Sequence, residues 1–391
     1  MKKRTDVPTF LLLLAACVGI LAVVFVQFLM PRESSPYRAE MVVASELMEE
    51  GLRLIKDRRE ATGIPIDRHV DLNNTGLIGV EYSDITTSTG NIEAKRSVLN
   101  PEFAALMVRL YHEAGVSPGD TIAIGASGSF PGALVASLAA AQAMELKVLL
   151  IVSYGASNWG ANIAEFNIMD MYEAVAALFP VELLAVSLGG RYDNGNDMME
   201  EGRMFLINDM HRRNAVMILE PDLGSAVDRR LSLYELYLGD GTILSAFVNI
   251  GGADANIGEG LGVLDLTPGV NHVGDAPARS LQDGGVVFAL GAEGVPIIHI
   301  LNIKTLLSSY RMSWDPVPLP RGTNGDIYHS VANDKGRAVW IVGSLVVYVL
   351  ALCLMFFAYR SRTGKLTGES ALAIADQCSG VVEEKKKHGE M

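Results

Sequence analysis

Cysteine is nearly absent: the 391-residue chain has three, Cys17, Cys353 and Cys378, and none falls between residues 18 and 352. That interior can hold neither a disulfide nor a cysteine-ligated metal, so its stability must come from an apolar core. Histidine is sparse too, at seven, with no HxH pair and no HExxH helix, which removes the usual zinc arrangements. No phosphate loop ending in Lys-Ser/Thr, no GxGxxG and no GxSxG nucleophile turn occurs. Asp193-Asn194-Gly195-Asn196-Asp197 offers oxygen ligands but lacks the spacing and late glutamate of a calcium loop, and reads as a turn before a helix. Positive charge is in deficit: the formal net charge is −13, and the acidity is concentrated between residues 31 and 337. Long-range attraction to nucleic acid therefore has the wrong sign. Neither a cofactor nor a metal is expected.

Apolar residues are abundant, at 49%. Two runs account for much of this, Pro8 to Met30 and Ala338 to Tyr359, each about 22 residues and long enough at roughly 1.5 Å per residue to cross roughly 30 Å of hydrocarbon. Lys2, Lys3 and Arg4 precede the first, and Arg360, Arg362 and Lys365 follow the second. By the positive-inside rule the expected layout is a two-pass protein of the cell membrane with both termini cytoplasmic. Residues 1–7 are then a cytoplasmic N-terminus, 8–30 and 338–359 transmembrane helices, 31–313 an extracytoplasmic α/β domain, 314–337 a Pro/Gly-rich linker and 360–391 a cytoplasmic tail. A cleaved signal peptide fits less well, because the apolar run continues to Met30. Leu14-Ala15-Ala16-Cys17 resembles a lipoprotein box, so lipidation of Cys17 is an alternative.

The interior alternates. Residues 39–62 carry helical periodicity through Met41, Ala44, Met48, Leu52 and Ile55, and Leu77 to Val80 is a short strand candidate. Asn100 and Pro101 open the next helix. Strands are expected at 121–124, 147–152, 182–187, 215–219 and 245–250, with helices after Pro131 and at 168–179, 197–212 and 226–238. Strands separated by helices of this length imply right-handed crossovers and a mostly parallel, doubly wound sheet. Val286 to Leu290 reads as a further strand, and Ile297 to Leu307 as its helix.

In such a sheet ligands sit beyond the carboxyl ends of the strands. Those ends read Gly125-Ala126-Ser127-Gly128-Ser129, Ser153-Tyr154-Gly155-Ala156-Ser157-Asn158, Ser187-Leu188-Gly189-Gly190-Arg191 and Glu220-Pro221-Asp222. Small residues let the backbone approach a ligand, and hydroxyls, amides and N–H groups suit a carboxylate. The candidate ligand-binding residues are Gly125, Ser127, Gly128, Ser129, Ser153, Ser157, Asn158 and Arg191, with Thr87 and Thr89 from the hydroxyl-rich run 86–89; that run reads equally as a turn. A serine hydrolase is the catalytic alternative. Ser127 or Ser129 would be its nucleophile, His272 or His299 its base and Asp222 the orienting acid, in the chain order of an α/β-hydrolase but without that fold's GxSxG.

Three stretches also carry a family likeness: Gly79-Val80-Glu81-Tyr82-Ser83 through Thr86-Thr87-Ser88-Thr89-Gly90, Gly125 through Gly132, and Ser153 through Asn162. On these residues, and over the whole span from the first apolar run to the second, the chain resembles the poly-gamma-glutamate system protein family, bacterial membrane proteins associated with synthesis and export of that polymer. The resemblance implies an accessory role with the polymer and its synthase membrane subunits as partners, and it transfers no catalytic residue. Cleavage or transfer of gamma-glutamyl bonds and a purely structural assembly role are the other readings.

Overall fold

The computed structural model describes residues 9–24, 33–239, 242–272, 284–329, 339 and 342–357. The chain divides into two compact units, residues 34–329 and the combined flanks 1–33 and 330–391.

In the flanking unit the expected membrane spans are not found. Among the described residues no helix is long and apolar enough to cross a membrane. The first run is helical over Thr9–Val24 (α1), 16 residues, and the second over 342–357. At about 1.5 Å per residue, sixteen residues reach about 24 Å, short of roughly 30 Å of hydrocarbon. The two-pass membrane placement is corrected accordingly. The expected N-terminus at 1–7, the tail at 360–391 with Cys378, and the ends of both runs lie outside the described residues. Within this unit the Tyr348 hydroxyl donates to the Ala15 carbonyl at 2.8 Å.

The larger unit has the expected α/β architecture. After α2 (Arg38–Thr62) come β1 (Thr86–Ser88), α3 (Ile92–Ser97) and α4 (Glu102–Glu113). The alternating part runs β2 (Thr121–Ser127), α5 (Pro131–Ala143), β3 (Lys147–Ser153), the short β4 (Ala156–Ser157), β5 (Asn162–Ile163) and β6 (Phe166–Asn167), then α6 (Ile168–Val175) and β7 (Glu182–Ser187). It continues with α7 (Glu200–Arg212), β8 (Met217–Ile218), α8 (Leu223–Leu238), β9 (Ala246–Ile250), α9 (Asp254–Ile257), β10 (Gly269–Asn271), α10 (Val286–Ala292), β11 (Ile297–Ile300) and α11 (Ile303–Ser309).

The main sheet has seven strands in the order β10-β11-β9-β2-β3-β7-β8. All neighbours are parallel except β10, which lies antiparallel on β11. The chain starts centrally at β2, winds outward through β3, β7 and β8, then returns to lay β9 against the other side of β2. Side chains divide with period two between the faces, as a pleat requires. Ile122, Ile124, Ala126, Val148, Leu150, Val248 and Ile298 join one core with α2, α4, α5 and α6. Ala123, Leu149, Ile151, Phe247 and Ile297 join the other with α8 and α10. Helices on both faces explain the near-continuous apolar strands. The α5 helix is buried from Pro131 to Ala141 because it lies between the sheet and α2 and α4, and its alanines permit that close approach.

Three local expectations change. Gly125, Ala126 and Ser127 belong to β2 rather than to a loop. Leu77 to Val80 joins no sheet among the described residues; it is held by backbone bonds with Trp159 and by the Asn162 amide, which accepts from Val80 N at 2.9 Å and donates to Val80 O at 2.8 Å. The segment 286–307 is inverted: Val286–Ala292 is a helix and Ile297–Ile300 a strand. Pro296, lacking an N–H, stands just ahead of β11, where its carbonyl accepts from Phe247 N at 2.9 Å. Residues 314–325 fold onto the body: Arg96 pairs with Asp315, and Asn73 donates to Pro316 O at 2.9 Å.

Candidate functional site

The β2–β9 junction is where the order of strands reverses, so the loops after these strands diverge and leave a crevice. A cavity of about 950 Å³ lies there, lined from the carboxyl ends of β2, β3, β7, β9 and β11 and by residues 87–95. The latter are held across the strand ends by β1, which pairs in parallel with β4.

Lys95 lines this cavity and is 2% exposed. Its helix α3 starts at Asn91, whose side chain accepts from Ala94 N at 2.8 Å. The Lys95 Nζ bonds the Ser129 carbonyl and lies 2.6 Å from Ser157 Oγ. It also sits 3.7 Å from the centroid of the Phe130 ring. No ion pair forms at this amine among the described residues, and burial pushes its pKa down to about 7. Ser129 fixes both partners, since its hydroxyl accepts from Ser157 N at 3.0 Å. Gly90 faces the pair: a Cβ there would meet Ser157 Oγ at 2.9 Å and Lys95 Cε at 3.2 Å.

The expected site residues separate into two groups. Thr87, Thr89, Ser127, Ser129, Ser157 and Arg191 all line the cavity. Gly125, Gly128, Ser153 and Asn158 do not; they support it. A Cβ at Gly125 would meet the Asn256 side chain and Phe247, and one at Gly128 would lie 2.5 Å from Tyr154 O. Ser153 Oγ is 2.9 Å from Ser187 Oγ. Asn158 accepts from Gly90 N at 3.1 Å and donates to Glu81 O, holding the 81–90 segment.

The serine triad is not assembled. His272 follows β10, whose antiparallel register places Asn271 opposite Ile297, at the amino end of β11. Asp222 follows β8, at the far edge of the sheet, and caps α8 by accepting from Ser225 N at 2.9 Å. Six strand spacings separate those edges, roughly 30 Å. His299 is buried in β11 within 3.0 Å of Asn249 Nδ2, and burial pushes its pKa down to about 4. Ser127 Oγ donates to Ile250 O at 3.3 Å.

The opposite wall is acidic. Asp197 accepts from Arg191 N at 3.0 Å and Asp254 from Tyr192 N at 2.9 Å, and burial raises the pKa of both carboxyls above their ordinary range. The wall is anchored underneath by Asp193, part of the stretch weighed for calcium. Its Oδ1 accepts from Ser187 Oγ at 2.8 Å, and its Oδ2 lies 2.7 Å from Arg230 Nη1. That second contact is an ion pair rather than an aligned hydrogen bond, because Nη1 donates to Ala226 O at 3.0 Å. Among the described residues no group of His, Cys, Asp or Glu is arranged to hold a metal.

Compared with known proteins, the chain matches no family model, no curated protein and no solved structure.

Proposed function

We propose that the cavity binds a carboxylate-bearing ligand with Lys95 as its counter-charge, and that the ligand is a segment or end of a gamma-linked glutamate chain. The observation that carries the reading is a nearly fully buried amine in the lining of the cavity, with no ion pair to it among the described residues. A buried ammonium without a counter-charge is unfavourable, and a ligand carboxylate supplies the missing charge. The hydroxyls of Thr87, Thr89, Ser129 and Ser157 and the glycines beside them suit the same guest. The sequence resemblance is what points to gamma-linked glutamate in particular, and with it to an accessory role in making or exporting that polymer. Asp197, Asp254, Glu93 and Glu259 on the cavity wall would repel a long polyanion, which favours one or a few residues over a coated chain.

Thermal unfolding of the full chain with and without gamma-linked glutamate oligomers tests this. At ligand a hundredfold above Kd, mass action adds about 2.7 kcal/mol to native stability, so the midpoint should rise by several degrees. Lys95→Met should abolish the rise. An equal rise in that variant, or none in the wild type at millimolar oligomer, contradicts the reading.

A further inference from the structure

We infer that Lys95 and Ser157 form a base–nucleophile pair able to open an amide or ester carbonyl of the ligand. This rests on the cavity being the ligand site and goes beyond binding to a reaction.

Three groups surround the amine, and the charged form donates to each of them, Ser157 Oγ included; the neutral form has one hydrogen fewer. The Ser129 carbonyl can only accept, so one N–H of Lys95 points there. The Phe130 ring, 3.7 Å from Nζ, takes a second N–H on its π face. A neutral amine then has its lone pair left for the third neighbour, the Ser157 hydroxyl at 2.6 Å. Burial favours this neutral form near neutral pH. Ser157 is itself fixed by the bond from its N–H to Ser129 Oγ. It is 5% exposed and lines the cavity. Among the described residues the hydroxyls of Ser127 and Ser129 bond no titratable side chain: one donates to the Ile250 carbonyl and the other accepts from Ser157 N. The other titratable groups on the cavity wall are Glu93, Arg191, Asp197, Asp254, Glu259 and Lys304.

The steps balance without a cofactor. Ser157 Oγ attacks the carbonyl carbon while its proton passes to Lys95, which becomes an ammonium. The tetrahedral intermediate collapses, the C–N bond breaks, and Lys95 returns the proton to the leaving amine. Water, deprotonated by the neutral Lys95, attacks the resulting ester, and Ser157 recovers its proton as the acyl–oxygen bond breaks. An amine of the polymer in place of water would make the same pair a transferase. Hydrolysis leaves a carboxylic acid next to Lys95. Its proton moves to the amine, giving the ammonium–carboxylate pair described above as the ligand complex.

The test is labelling of the full chain with a fluorophosphonate, read by intact mass and peptide mapping. One adduct is expected, on Ser157, with a rate that rises through about pH 7 as Lys95 loses its proton and is then level. Ser157→Ala should remove it, and Lys95→Gln should slow it at least a hundredfold while retaining a cooperative unfolding transition. Lys95→Arg should keep carboxylate-induced stabilisation and lose labelling. Gamma-linked glutamate oligomer should protect Ser157. An adduct on another serine, labelling indifferent to Lys95, or no adduct in a wild type that still binds the oligomer overturns the pair and leaves the binding site standing. Labelling of Ser157 with no oligomer protection or stabilisation keeps the pair and removes gamma-linked glutamate as its ligand.

Discussion

Replacing Asp193 by Asn is expected to destabilise the larger unit by about 3–5 kcal/mol, the cost typical of leaving one member of a buried ion pair uncompensated. Asp193 and Arg230 are both almost fully buried, at 3% and 1% exposure. Arg230 reaches Ser187 Oγ at 2.8 Å and the Ala226 carbonyl at 3.0 Å, but Asp193 is its ion-pair partner. Asn keeps the shape and tolerates the left-handed backbone at this position, φ 63, so the substitution isolates the charge. Denaturant midpoints check the size. Adding Arg230→Met to Asp193→Asn should recover part of the loss, since the double variant has no buried charge. A single-variant loss below 1 kcal/mol would mean that the pair is not the anchor of the 189–197 wall.

Lys95→Met has an effect whose sign depends on pH. In the unfolded chain the amine has its ordinary pKa of 10.5, and burial lowers it to about 7 in the fold. Between these values the unfolded state binds more protons, so Lys95 makes the wild type more stable as pH rises from about 7 toward 10.5 and less stable as pH falls. Below about 7 both states are protonated and the full burial penalty is present. Methionine carries no such term. At about 1.4 kcal/mol per pH unit, the variant should gain about 3 kcal/mol on the wild type between pH 9 and pH 6. Urea unfolding at the two pH values measures it; a difference that does not move with pH would show that Lys95 is solvated rather than buried.

The doubly wound sheet was legible because five of its seven strands are apolar runs set between helical patterns, and because β7 and the helices after Pro131 and at 39–62 have clear ends such as Gly63. The inversion at 286–307 has a plain cause: VVFAL and IIHI are short apolar runs, and neither length nor period separates a strand from a buried helical turn. Of the site, the small and hydroxyl residues at the strand ends could be read, since the topology rule depends only on strand order. Lys95 could not. Lysines are rarely buried, so nothing marks one for the interior, and its helix is six residues opened by an Asn91 cap inside what reads as a hydroxyl-rich turn. The Ser157 partnership depends on β1 docking against β4, which brings residues 62 positions apart into contact. The membrane spans were misread because each apolar run was counted as helix over its whole length, whereas the helical stretches described within those runs are too short.

The central claim, that a ligand carboxylate pairs with the Lys95 amine, is tested most directly by proton uptake. Titration calorimetry of gamma-linked glutamate oligomer into the full chain, in buffers of different ionisation enthalpy, counts the protons taken up on binding. With the free amine at about 7 and its pKa raised by an adjacent carboxylate, uptake should be near zero at pH 6, about half a proton at pH 7 and close to one at pH 8, and absent in Lys95→Met. Binding without proton uptake across that range, or the absence of binding, would contradict the account.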